Sequence, residues 1–332
     1  MITAHEVQLV TRPDGAPRTT DFRVAEVRVP DPGPGQVLVR NTWLSIDPYI
    51  RLMLNDSKSA VFPPFALNGP IDGAAVGEVV AGDAVPVGAT VTHFRGWREY
   101  SVLDAGDVRV LDVDGVPPQA HLSVFGTTGL TAYAVLTDVT PVRPGDTVFI
   151  SAAAGAVGSV AGQLARKLGA ARVIGSAGGP AKVRTLVEDL GYDVGIDYRA
   201  DDLARALADA APDGLDLYVD HVGGDQLDAA LTVLKPRGRV ALVGAITGYN
   251  EATPTLSTRN LFAAVEKELT LRGMQVTSYF DRLPEYVELA SPWLRDGSFR
   301  VPETVLEGIH AVPEAFVGVL GGANTGKMLV RL

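Results

Sequence analysis

The sequence predicts an α/β protein with two domains, one built from short strands and one from a parallel sheet flanked by helices. Residues 1–120 are rich in Val, Gly and Pro, and clusters of Pro and Gly such as VPDPGPGQ (29–36) separate short alternating stretches. This pattern is typical of a partly closed β-barrel. From about residue 121, strand-like and helix-like stretches alternate, which is typical of a doubly wound parallel sheet.

The strands are predicted from short stretches rich in apolar and β-branched residues. In the first domain the clearest are QVLVRNTWLSI (36–46) and AAVGEVVAGD (74–83). In the second domain the predicted strands are 147–151, 172–176, 194–198, 215–220, 239–244 and 269–276, with helical stretches between most of them. The tail, 300–332, returns to short β-like pieces and is expected to rejoin the first domain. The predicted domains are therefore 1–120 together with 300–332, and 121–299.

Composition and charge argue against several classes of function. At 332 residues, with 46% hydrophobic and 20% charged residues, the chain is an ordinary soluble protein large enough for two domains. Its net charge of −10 argues against a nucleic-acid partner, which a basic surface would favour. No apolar run approaches the roughly 20 residues of a membrane helix, and the first residues lack the basic-then-apolar pattern of a secretion signal. We therefore expect a cytoplasmic protein that binds neither nucleic acid nor a membrane.

A glycine turn follows the predicted strand 147–151 and reads AAGAVG over 153–158. Gly155 would let the backbone approach a pyrophosphate, and Gly158 would let the next helix pack close to the strand. The apolar residues that then recur at helical spacing are Val157, Val160, Ala161, Leu164, Ala165 and Leu168. The N-terminus of this helix would offer unpaired N–H groups to an anion, so the turn predicts a bound dinucleotide. The alternative is a merely tight turn between a strand and a helix.

The residues after the second strand of this domain favour NADP(H) over NAD(H). An NAD site uses an acidic residue about 20 residues after the glycine turn, where it accepts hydrogen bonds from the ribose. Residues 171–187 contain no acid, and they supply Ser176, Lys182 and Arg184 where a 2′-phosphate would lie. The alternative makes Lys182 and Arg184 a solvated first turn of the next helix. A carboxylate supplied from elsewhere in the fold would reverse the preference.

Several motifs, taken together, carry a resemblance to a known family. They are LSIDPYIR (44–51), GWREY (96–100), GTTGLTAY (126–133), PGDTVFISAAAGAVGSVAGQLA (144–165), GSAGGPAKVRTL (175–186), GYDVGIDY (191–198), DLYVDHVGG (216–224), VGAITGYN (243–250) and GANTGK (322–327). In this order and at these spacings, the chain resembles the zinc-independent medium-chain dehydrogenases/reductases, such as prostaglandin reductases, leukotriene B4 12-hydroxydehydrogenases and alkenal double-bond reductases. The resemblance implies a GroES-like β-barrel domain and a Rossmann domain. It also implies NADPH-dependent reduction of a carbon–carbon double bond conjugated to a carbonyl group.

The resemblance also implies which residues bind the cofactor. The pyrophosphate would lie on the turn of Gly155, Ala156, Val157 and Gly158, and the 2′-phosphate would meet Lys182 and Tyr198. His221 stands near the nicotinamide side, where relatives usually have Asn. The nicotinamide ribose would be lined by Val243, Gly244, Ala245 and Ile246 in a segment that continues to Asn250. The residues expected to close over the nicotinamide are Met274, Gln275, Val276 and Asn324.

Hydride transfer to the β-carbon of an enone builds negative charge on the carbonyl oxygen, and Tyr249 is the candidate donor to that oxygen. Its phenol is neutral at pH 7, with an ordinary pKa of about 10. The ribose 2′-hydroxyl would donate alongside it, and water or a tyrosine-linked relay would protonate the α-carbon; alternatively, Tyr249 only forms a wall of the pocket. Tyr49, Thr128 and Asn250 are further candidates for substrate binding. At 127–128 the chain has Thr-Thr where relatives often have Met-Pro, which should reshape the pocket.

No metal site is expected. Zinc-dependent relatives carry a cysteine ligand near SIDPY (45–49) and a His-Glu pair near 68–79, whereas this chain has Asp47-Pro48 and Gly69-Pro70 there and contains no cysteine. Its five histidines, at 5, 93, 121, 221 and 310, show no ligand spacing. Two alternatives to an enone or 2-alkenal reductase stay open: an NADPH:quinone reductase, and a noncatalytic NADPH-binding scaffold or sensor. A homodimer joined through the sheet edges is also expected, with 269–276 as a candidate edge, although that stretch fits a buried strand equally well.

Overall fold

The structure is a computed structural model that describes residues 1–56, 61–113, 115–251 and 258–332. The chain divides into two compact units. The first unit holds Met1–Leu122, Glu303–Leu332 and the short connection that begins at Asn250. The second unit holds Ser123–Tyr249 and the residues that return to it before Pro302.

The described residues form strands and helices with the following bounds. The strands are β1 (Ile2–Leu9), β2 (Phe22–Val29), β3 (Gln36–Ser45), β4 (Ala75–Gly82), β5 (Thr90–His93), β6 (Tyr100–Asp104), β7 (Arg109–Val110), β8 (Thr147–Ile150), β9 (Arg172–Ala177), β10 (Val194–Asp197), β11 (Leu215–Asp220), β12 (Leu234–Leu242), β13 (Thr270–Gly273), β14 (Glu303–Glu307) and β15 (Lys327–Arg331). The helices are α1 (Ile50–Met53), α2 (Thr127–Ala134), α3 (Ala156–Lys167), α4 (Pro180–Arg184), α5 (Leu203–Ala210), α6 (Gly224–Val233), α7 (Phe262–Glu266), α8 (Leu283–Arg295) and α9 (Val312–Leu320).

Antiparallel pairing organises the first unit. β1 pairs with β2, and a second sheet runs in the order β14-β15-β3-β4-β5-β7, with β6 paired to β3. Within this sheet β14 and β15 are parallel, and the other pairs are antiparallel. β15, near the C-terminus, therefore lies beside β3 from the N-terminal part of the chain. Trp97 and Phe316 meet edge to face in the apolar core of this unit, with ring centroids 5.3 Å apart.

A parallel sheet organises the second unit. Its order is β10-β9-β8-β11-β12-β13, and each neighbouring pair is parallel. All six strands predicted for this part of the chain are present, so the predicted fold class is confirmed. The bounds of β11 are as predicted, those of β8, β9 and β10 differ from the prediction by one residue, and those of β12 and β13 differ by more. β12 begins earlier than predicted because Leu234 and Arg239 both pair with β11, on either side of an irregularity, and β13 is confined to Thr270–Gly273.

Helix α3 packs against this sheet through an apolar face and through glycines. The buried positions on its predicted apolar face are Val160, Ala161, Leu164 and Ala165. Tyr192 occupies the space beside Gly162, where an added Cβ would lie 2.2 Å from the ring. The Tyr192 hydroxyl donates to the Gly158 carbonyl at 2.6 Å. These contacts hold the beginning of α3 close to the sheet.

The strand order defines where a ligand would bind. From β8 the chain continues to β9, its neighbour towards one edge of the sheet, and from β11 it continues to β12, its neighbour towards the opposite edge. Because β8 and β11 are neighbours, their carboxyl ends border the point where the strand order reverses. In doubly wound folds, ligands bind outside the carboxyl ends of the strands at such a point. The loops after β8 and β11 are therefore the centre of the candidate site.

Candidate cofactor-binding and active site

The loop after β8 is the predicted glycine turn. Gly155 precedes the first residue of α3 in extended backbone, and no side chain caps that end of the helix. The first N–H groups of α3 are therefore available to an anion. At Gly158 an added Cβ would lie 2.6 Å from the Ala152 carbonyl oxygen and 2.6 Å from the Ala153 Cα. Glycine at 158 therefore allows α3 to begin this close to the end of β8, which is the reason that the sequence predicted for it.

Three side chains meet beside the turn that follows β9. An added Cβ on Gly178 would lie 2.8 Å from Arg199 Nε and 3.0 Å from the Tyr198 hydroxyl. The pKa of Lys182 is lowered, first by burial and then by the positive charge of Arg199. Lys182 and Arg199 therefore place two positive charges close to the turn. A dianionic phosphate would relieve the repulsion between them.

Arg199 was missed by the sequence analysis. The search for charged groups ended with the segment after β9, whereas Arg199 follows β10, the next strand along the chain and its neighbour in the sheet. Its position directly after Tyr198, which the resemblance did assign to the phosphate, is the signal that identifies it. Pairing of β10 with β9 brings the carboxyl ends of the two strands together, so Tyr198 and Arg199, which follow β10, both lie beside Gly178 after β9.

A carboxylate also reaches this turn. Asp197, the last residue of β10, accepts hydrogen bonds at Oδ1 from the backbone N–H groups of Gly179 (2.9 Å) and Arg199 (3.1 Å). This is the kind of acid from elsewhere in the fold that the sequence analysis said would count against NADP(H). Two backbone amides already use the oxygen, and two cations lie nearby. Asp201 lies close as well, since its Oδ2 accepts from the Asp197 backbone N–H at 3.0 Å, so both cations and carboxylates surround this turn.

Ser176 lies inside the protein rather than at this turn. The residue is fully buried in β9, and its hydroxyl donates to Gln226 Oε1 at 2.6 Å. Its carbonyl accepts from the backbone N–H of Ala153, which joins β9 to the glycine turn. The predicted contact of Ser176 with the cofactor stays a prediction, and with its hydrogen donated to Gln226 the hydroxyl could only accept from a ligand.

At the end of β11, Asp220 and His221 are bound to the loop after β8. The His221 backbone N–H donates to Ser151 Oγ, and His221 Nδ1 lies 2.9 Å from the Ser151 carbonyl oxygen. Asp220 Oδ1 accepts from the Tyr218 hydroxyl and from the N–H groups of Val222 and Gly223. His221 Nε2 and Asp220 Oδ2 are buried and have no hydrogen-bond partner among the described residues. Both atoms lie where the strand order reverses.

The turn after β12 continues the same edge of the sheet and leads to Tyr249. The N–H groups of Val243 and Gly244 donate to the Asp220 carbonyl oxygen at 2.8 and 3.1 Å. An added Cβ on Gly244 would lie 3.0 Å from the Tyr249 hydroxyl. Burial raises the pKa of Tyr249, a hydrogen bond from the Ala245 backbone opposes that rise, and the charge of Asp220 adds to it. The phenol therefore keeps its proton at neutral pH and is able to donate it in a hydrogen bond.

The other predicted residues of the second unit lie in two further places. Met274, Gln275 and Val276 follow β13, and the Met274 N–H donates to the Leu242 carbonyl at 3.2 Å, which places them beside the end of β12. Thr128 is buried at the beginning of α2, and its hydroxyl donates to the Ser123 carbonyl at 2.7 Å. The Thr128 hydroxyl is thus engaged within its own unit.

Three predicted residues belong to the first unit: Tyr49, Asn250 and Asn324. Tyr49 directly precedes α1, and burial, followed by the charges of Asp47 and Asp72, raises its pKa well above the ordinary value. Asn324 is buried, and its side-chain amide donates to the Gly326 carbonyl at 2.6 Å.

Arg51 holds Asn250 in the first unit, a contact that the sequence did not indicate. Arg51 is 1% exposed, and its guanidinium group donates to Asn250 Oδ1 at 3.2 Å and to the Gly15 carbonyl at 2.8 Å. The sequence signal for Arg51 is its place at the end of the motif LSIDPYIR, two residues after Tyr49.

Comparisons with known proteins identify the family. One matching family model, described as the N-terminal domain of oxidoreductase, covers residues 5–111, and another, described as zinc-binding dehydrogenase, covers residues 156–292. The NADPH-dependent curcumin reductase of Escherichia coli is 36% identical over 98% of this chain and 95% of that protein. The 2-alkenal reductase (NADP(+)-dependent) of Nicotiana tabacum is 36% identical over 96% of this chain and 94% of that protein. The solved structure of CurA with NADPH from Vibrio vulnificus has a TM-score of 0.92 and 33% identity, and covers 99% of both chains. This chain belongs to the medium-chain dehydrogenase/reductase family.

Membership of this family makes the chain an oxidoreductase and raises the question of zinc, because one matching model is described as a zinc-binding dehydrogenase. Within the residues that the structure describes, no group of three or more His, Cys, Asp or Glu side chains could hold a metal ion. Asp47 stands near the place of a zinc ligand in the metal-dependent members. Its carboxylate is paired with Lys327 and accepts a hydrogen bond from Ser45, so these neighbours already compensate its charge.

In the described part of this medium-chain dehydrogenase/reductase, no helix is long and apolar enough to cross a membrane. The cytoplasmic location expected from the sequence stays a prediction.

Proposed function

We propose that this chain reduces the carbon–carbon double bond of α,β-unsaturated aldehydes or ketones, with NADPH as the hydride donor. The observation that carries the proposal is the likeness, over nearly the whole chain, to a tobacco protein named as an NADP(+)-dependent 2-alkenal reductase. A bacterial relative named as an NADPH-dependent curcumin reductase supports the same class of reaction. Both relatives cover the two units of this chain, so the similarity is not limited to the nucleotide-binding part.

The residues of the second unit fit NADP(H). The loop after β8 offers free helix N–H groups and a glycine at 158 that lets α3 begin close to the sheet. Lys182, Tyr198 and Arg199 would bind the 2′-phosphate, and the two cations would form charge-assisted hydrogen bonds with it. The unpartnered Nε2 of His221 is a free acceptor at the point where the strand order reverses. The segments 243–246 and 274–276, which follow β12 and β13, would lie along the nicotinamide ribose and the nicotinamide.

The proposed chemistry needs one good hydrogen-bond donor from the protein. When bound, the reduced nicotinamide supplies a hydride to the β-carbon of the substrate, and negative charge builds on the carbonyl oxygen. Tyr249 has the properties of a donor to that oxygen, because burial keeps its phenol protonated. A single preorganised donor of this kind contributes about 3 kcal/mol to the lowering of the barrier. Water or a tyrosine-linked relay completes the reaction by protonating the α-carbon.

Steady-state oxidation of NADPH with a panel of small enals, enones and quinones tests the proposal. We expect turnover with enals or enones and a saturated aldehyde or ketone as the product. Consumption of NADPH with quinones alone, giving hydroquinone or semiquinone, would favour the quinone reductase. Tight NADPH binding without turnover on any member of the panel would favour the noncatalytic scaffold or sensor. Either result would reject the proposal.

We also propose that the protein is a homodimer joined through β13. β13 is the last strand of the parallel sheet, and its residues Thr270, Arg272 and Gly273 are exposed. The N–H of Met274 points to β12, because it donates to the Leu242 carbonyl. Since N–H directions alternate along a strand, the amides of Leu271 and Gly273 point to the free edge. A second copy of the chain would pair with these groups.

A further inference from the structure

His221 is attached to the end of β8 by two hydrogen bonds to one residue. Its backbone N–H donates to Ser151 Oγ, and its ring Nδ1 lies 2.9 Å from the Ser151 carbonyl oxygen. A carbonyl oxygen only accepts, so Nδ1 must carry the ring hydrogen. Ser151 is fully buried directly after β8, and its backbone N–H donates to the Val219 carbonyl of β11, which holds this acceptor in place. The contact therefore sets both the tautomer and the orientation of the imidazole ring.

The other ring nitrogen, Nε2, is consequently a hydrogen-bond acceptor without a donor among the described residues. In the neutral Nδ1–H tautomer, Nε2 carries a lone pair, and burial lowers the pKa of His221, so the ring stays neutral at pH 7. Nε2 is buried and has no hydrogen-bond partner among the described residues. Leaving a buried acceptor unpaired costs about 1–3 kcal/mol, so native proteins rarely do so without a reason.

The adjacent Asp220 side chain offers His221 no donor. Asp220 contributes a carboxylate, which also accepts, and its Oδ2 is buried without a partner as well. The donors nearby are already used, because the Tyr218 hydroxyl and the N–H groups of Val222 and Gly223 donate to Asp220 Oδ1. The carboxyl end of β11 thus presents buried acceptors that lack donors. A ligand that supplies O–H or N–H groups would complete them.

We infer that His221 binds the nicotinamide riboside half of NADP(H) as an acceptor-only residue, receiving at Nε2 a hydrogen bond from a ribose hydroxyl or from the carboxamide N–H group. The inference rests on the proposed function. It gives His221 a property that the Asn usual at this position does not have, because an Asn side chain both donates and accepts. His221 therefore favours a ligand that directs a hydrogen-bond donor at Nε2 and disfavours a ligand that directs only an acceptor at it.

Nitrogen NMR of protein labelled with ¹⁵N-histidine tests the inference directly. The ring signals missing from the His221→Phe variant identify His221. We expect a protonated Nδ1 and an unprotonated Nε2 in the free protein. Addition of NADP⁺ should move the Nε2 signal towards the protonated type, and 2′,5′-ADP, which lacks the nicotinamide riboside, should leave it unchanged. The 3-acetylpyridine analogue of NADP⁺ lacks the carboxamide N–H, so a shift that persists identifies a ribose hydroxyl, and a shift that is lost identifies the carboxamide.

Calorimetric binding provides the second measurement. His221→Phe should raise the Kd for NADP⁺ by about tenfold and leave the Kd for 2′,5′-ADP unchanged. His221→Gln, whose side-chain oxygen accepts a hydrogen bond, should recover part of the loss. His310→Phe is the matched control, because His310 is an exposed histidine of the first unit, and we expect no change in either Kd.

The outcomes separate failure of this inference from failure of the proposed function. If the unaltered protein binds no NADP⁺, the proposed function fails. If NADP⁺ binds but Nε2 is protonated in the free protein, or if its signal does not respond to NADP⁺, the inference is overturned and a buried water remains as the partner of Nε2. Equal loss of affinity for NADP⁺ and 2′,5′-ADP in His221→Phe would show a general disturbance of the site, and would also overturn it.

Discussion

At the scale of single residues, the proposed chemistry depends on the protonation state of Tyr249. Burial raises the pKa of the phenol and the charge of Asp220 raises it further, against the hydrogen bond from the Ala245 backbone. The donor form therefore persists at least to the ordinary phenol pKa of about 10. We expect kcat with an enone to show no loss attributable to Tyr249 between about pH 6 and pH 9.

Replacement of Tyr249 by Phe removes this donor and little else. Because a preorganised donor to a developing oxyanion contributes about 10²- to 10³-fold in kcat, we expect Tyr249→Phe to lower kcat by roughly 100-fold. The Kd for NADPH should change little. Steady-state kinetics and calorimetric binding measure the two quantities, with Tyr100→Phe in the first unit as control. An unchanged kcat would assign Tyr249 to the wall of the pocket.

Lys182 and Arg199 should decide between the two nicotinamide coenzymes. Lys182→Ala removes a half-buried cation, so we expect the Kd for NADPH to rise by about 10-fold or more while the Kd for NADH stays the same. Arg199 is exposed, so solvent screens its charge and Arg199→Ala should have a smaller effect, about threefold, that shrinks as salt is added. Arg205→Ala removes an exposed arginine of α5 and serves as control. Equal effects on NADPH and NADH would remove both residues from the phosphate site.

At the scale of secondary-structure elements, the site depends on how closely α3 approaches the sheet. An added Cβ on Gly162 would lie 2.2 Å from the Tyr192 ring, and Tyr192 also donates to the Gly158 carbonyl. Gly162→Ala therefore forces α3 or Tyr192 to move, and we expect the free energy of unfolding to fall by about 1–3 kcal/mol. Urea unfolding measures the change. Gly106→Ala, where no atom lies within 4 Å of the added Cβ, should leave the midpoint unchanged.

In the first unit, a buried ion pair links β15 to the segment that follows β3. Lys327 and Asp47 are 2% and 7% exposed at their side chains, and Ser45 donates to the same carboxylate. Lys327→Met leaves the Asp47 charge buried without its partner, and we expect a loss of about 3–5 kcal/mol in the free energy of unfolding. The double variant Asp47→Asn with Lys327→Met removes both charges and should recover a large part of the loss. If thermal unfolding finds the double variant no more stable than Lys327→Met, the lost stability has another source.

At the scale of the whole molecule, β13 provides the test of the proposed dimer. Light scattering should give twice the chain mass of 34.9 kDa for the unaltered protein. Gly273→Pro removes an N–H group from the free edge without removing one that pairs with β12, so we expect a monomer. Gly273→Ala keeps the N–H, and its Cβ would meet no atom within 4 Å, so it should remain a dimer. A dimeric Gly273→Pro protein would place the interface elsewhere.

Local patterns of the sequence predicted the architecture of the second unit. The strands β8, β9, β10 and β11 are short, largely apolar stretches between turn residues, and α3 carries an apolar face at helical spacing, so neighbouring residues are enough to identify these elements. Gly158 was recognised in the same way, from the number of residues that separate it from the end of β8. These features depend on residues close together in the chain, and they did not need the tertiary structure.

The contacts that complete the site were decided by pairing between strands. Arg199 meets Gly178 because β10 lies beside β9, and His221 meets Ser151 because β11 lies beside β8. No spacing in the sequence indicates these pairs, since their residues lie on different strands of the sheet. The environment of Ser176 also depends on the tertiary structure. Its position along the chain suggested a contact with the phosphate, but its hydroxyl donates to Gln226 inside the protein.

The amino-acid sequence by itself determined the α/β class, the order of the elements, the glycine turn and the absence of an acid after β9, because each is written in consecutive or helically spaced residues. Only the tertiary structure decided which groups lie together or stay free: the second cation beside Lys182, the contact of the His221 ring with Ser151 and the free edge of β13. The physical reason is that a parallel sheet brings together the carboxyl ends of strands that are distant in the chain, and the hydrogen bonds and charges at those ends depend on that pairing.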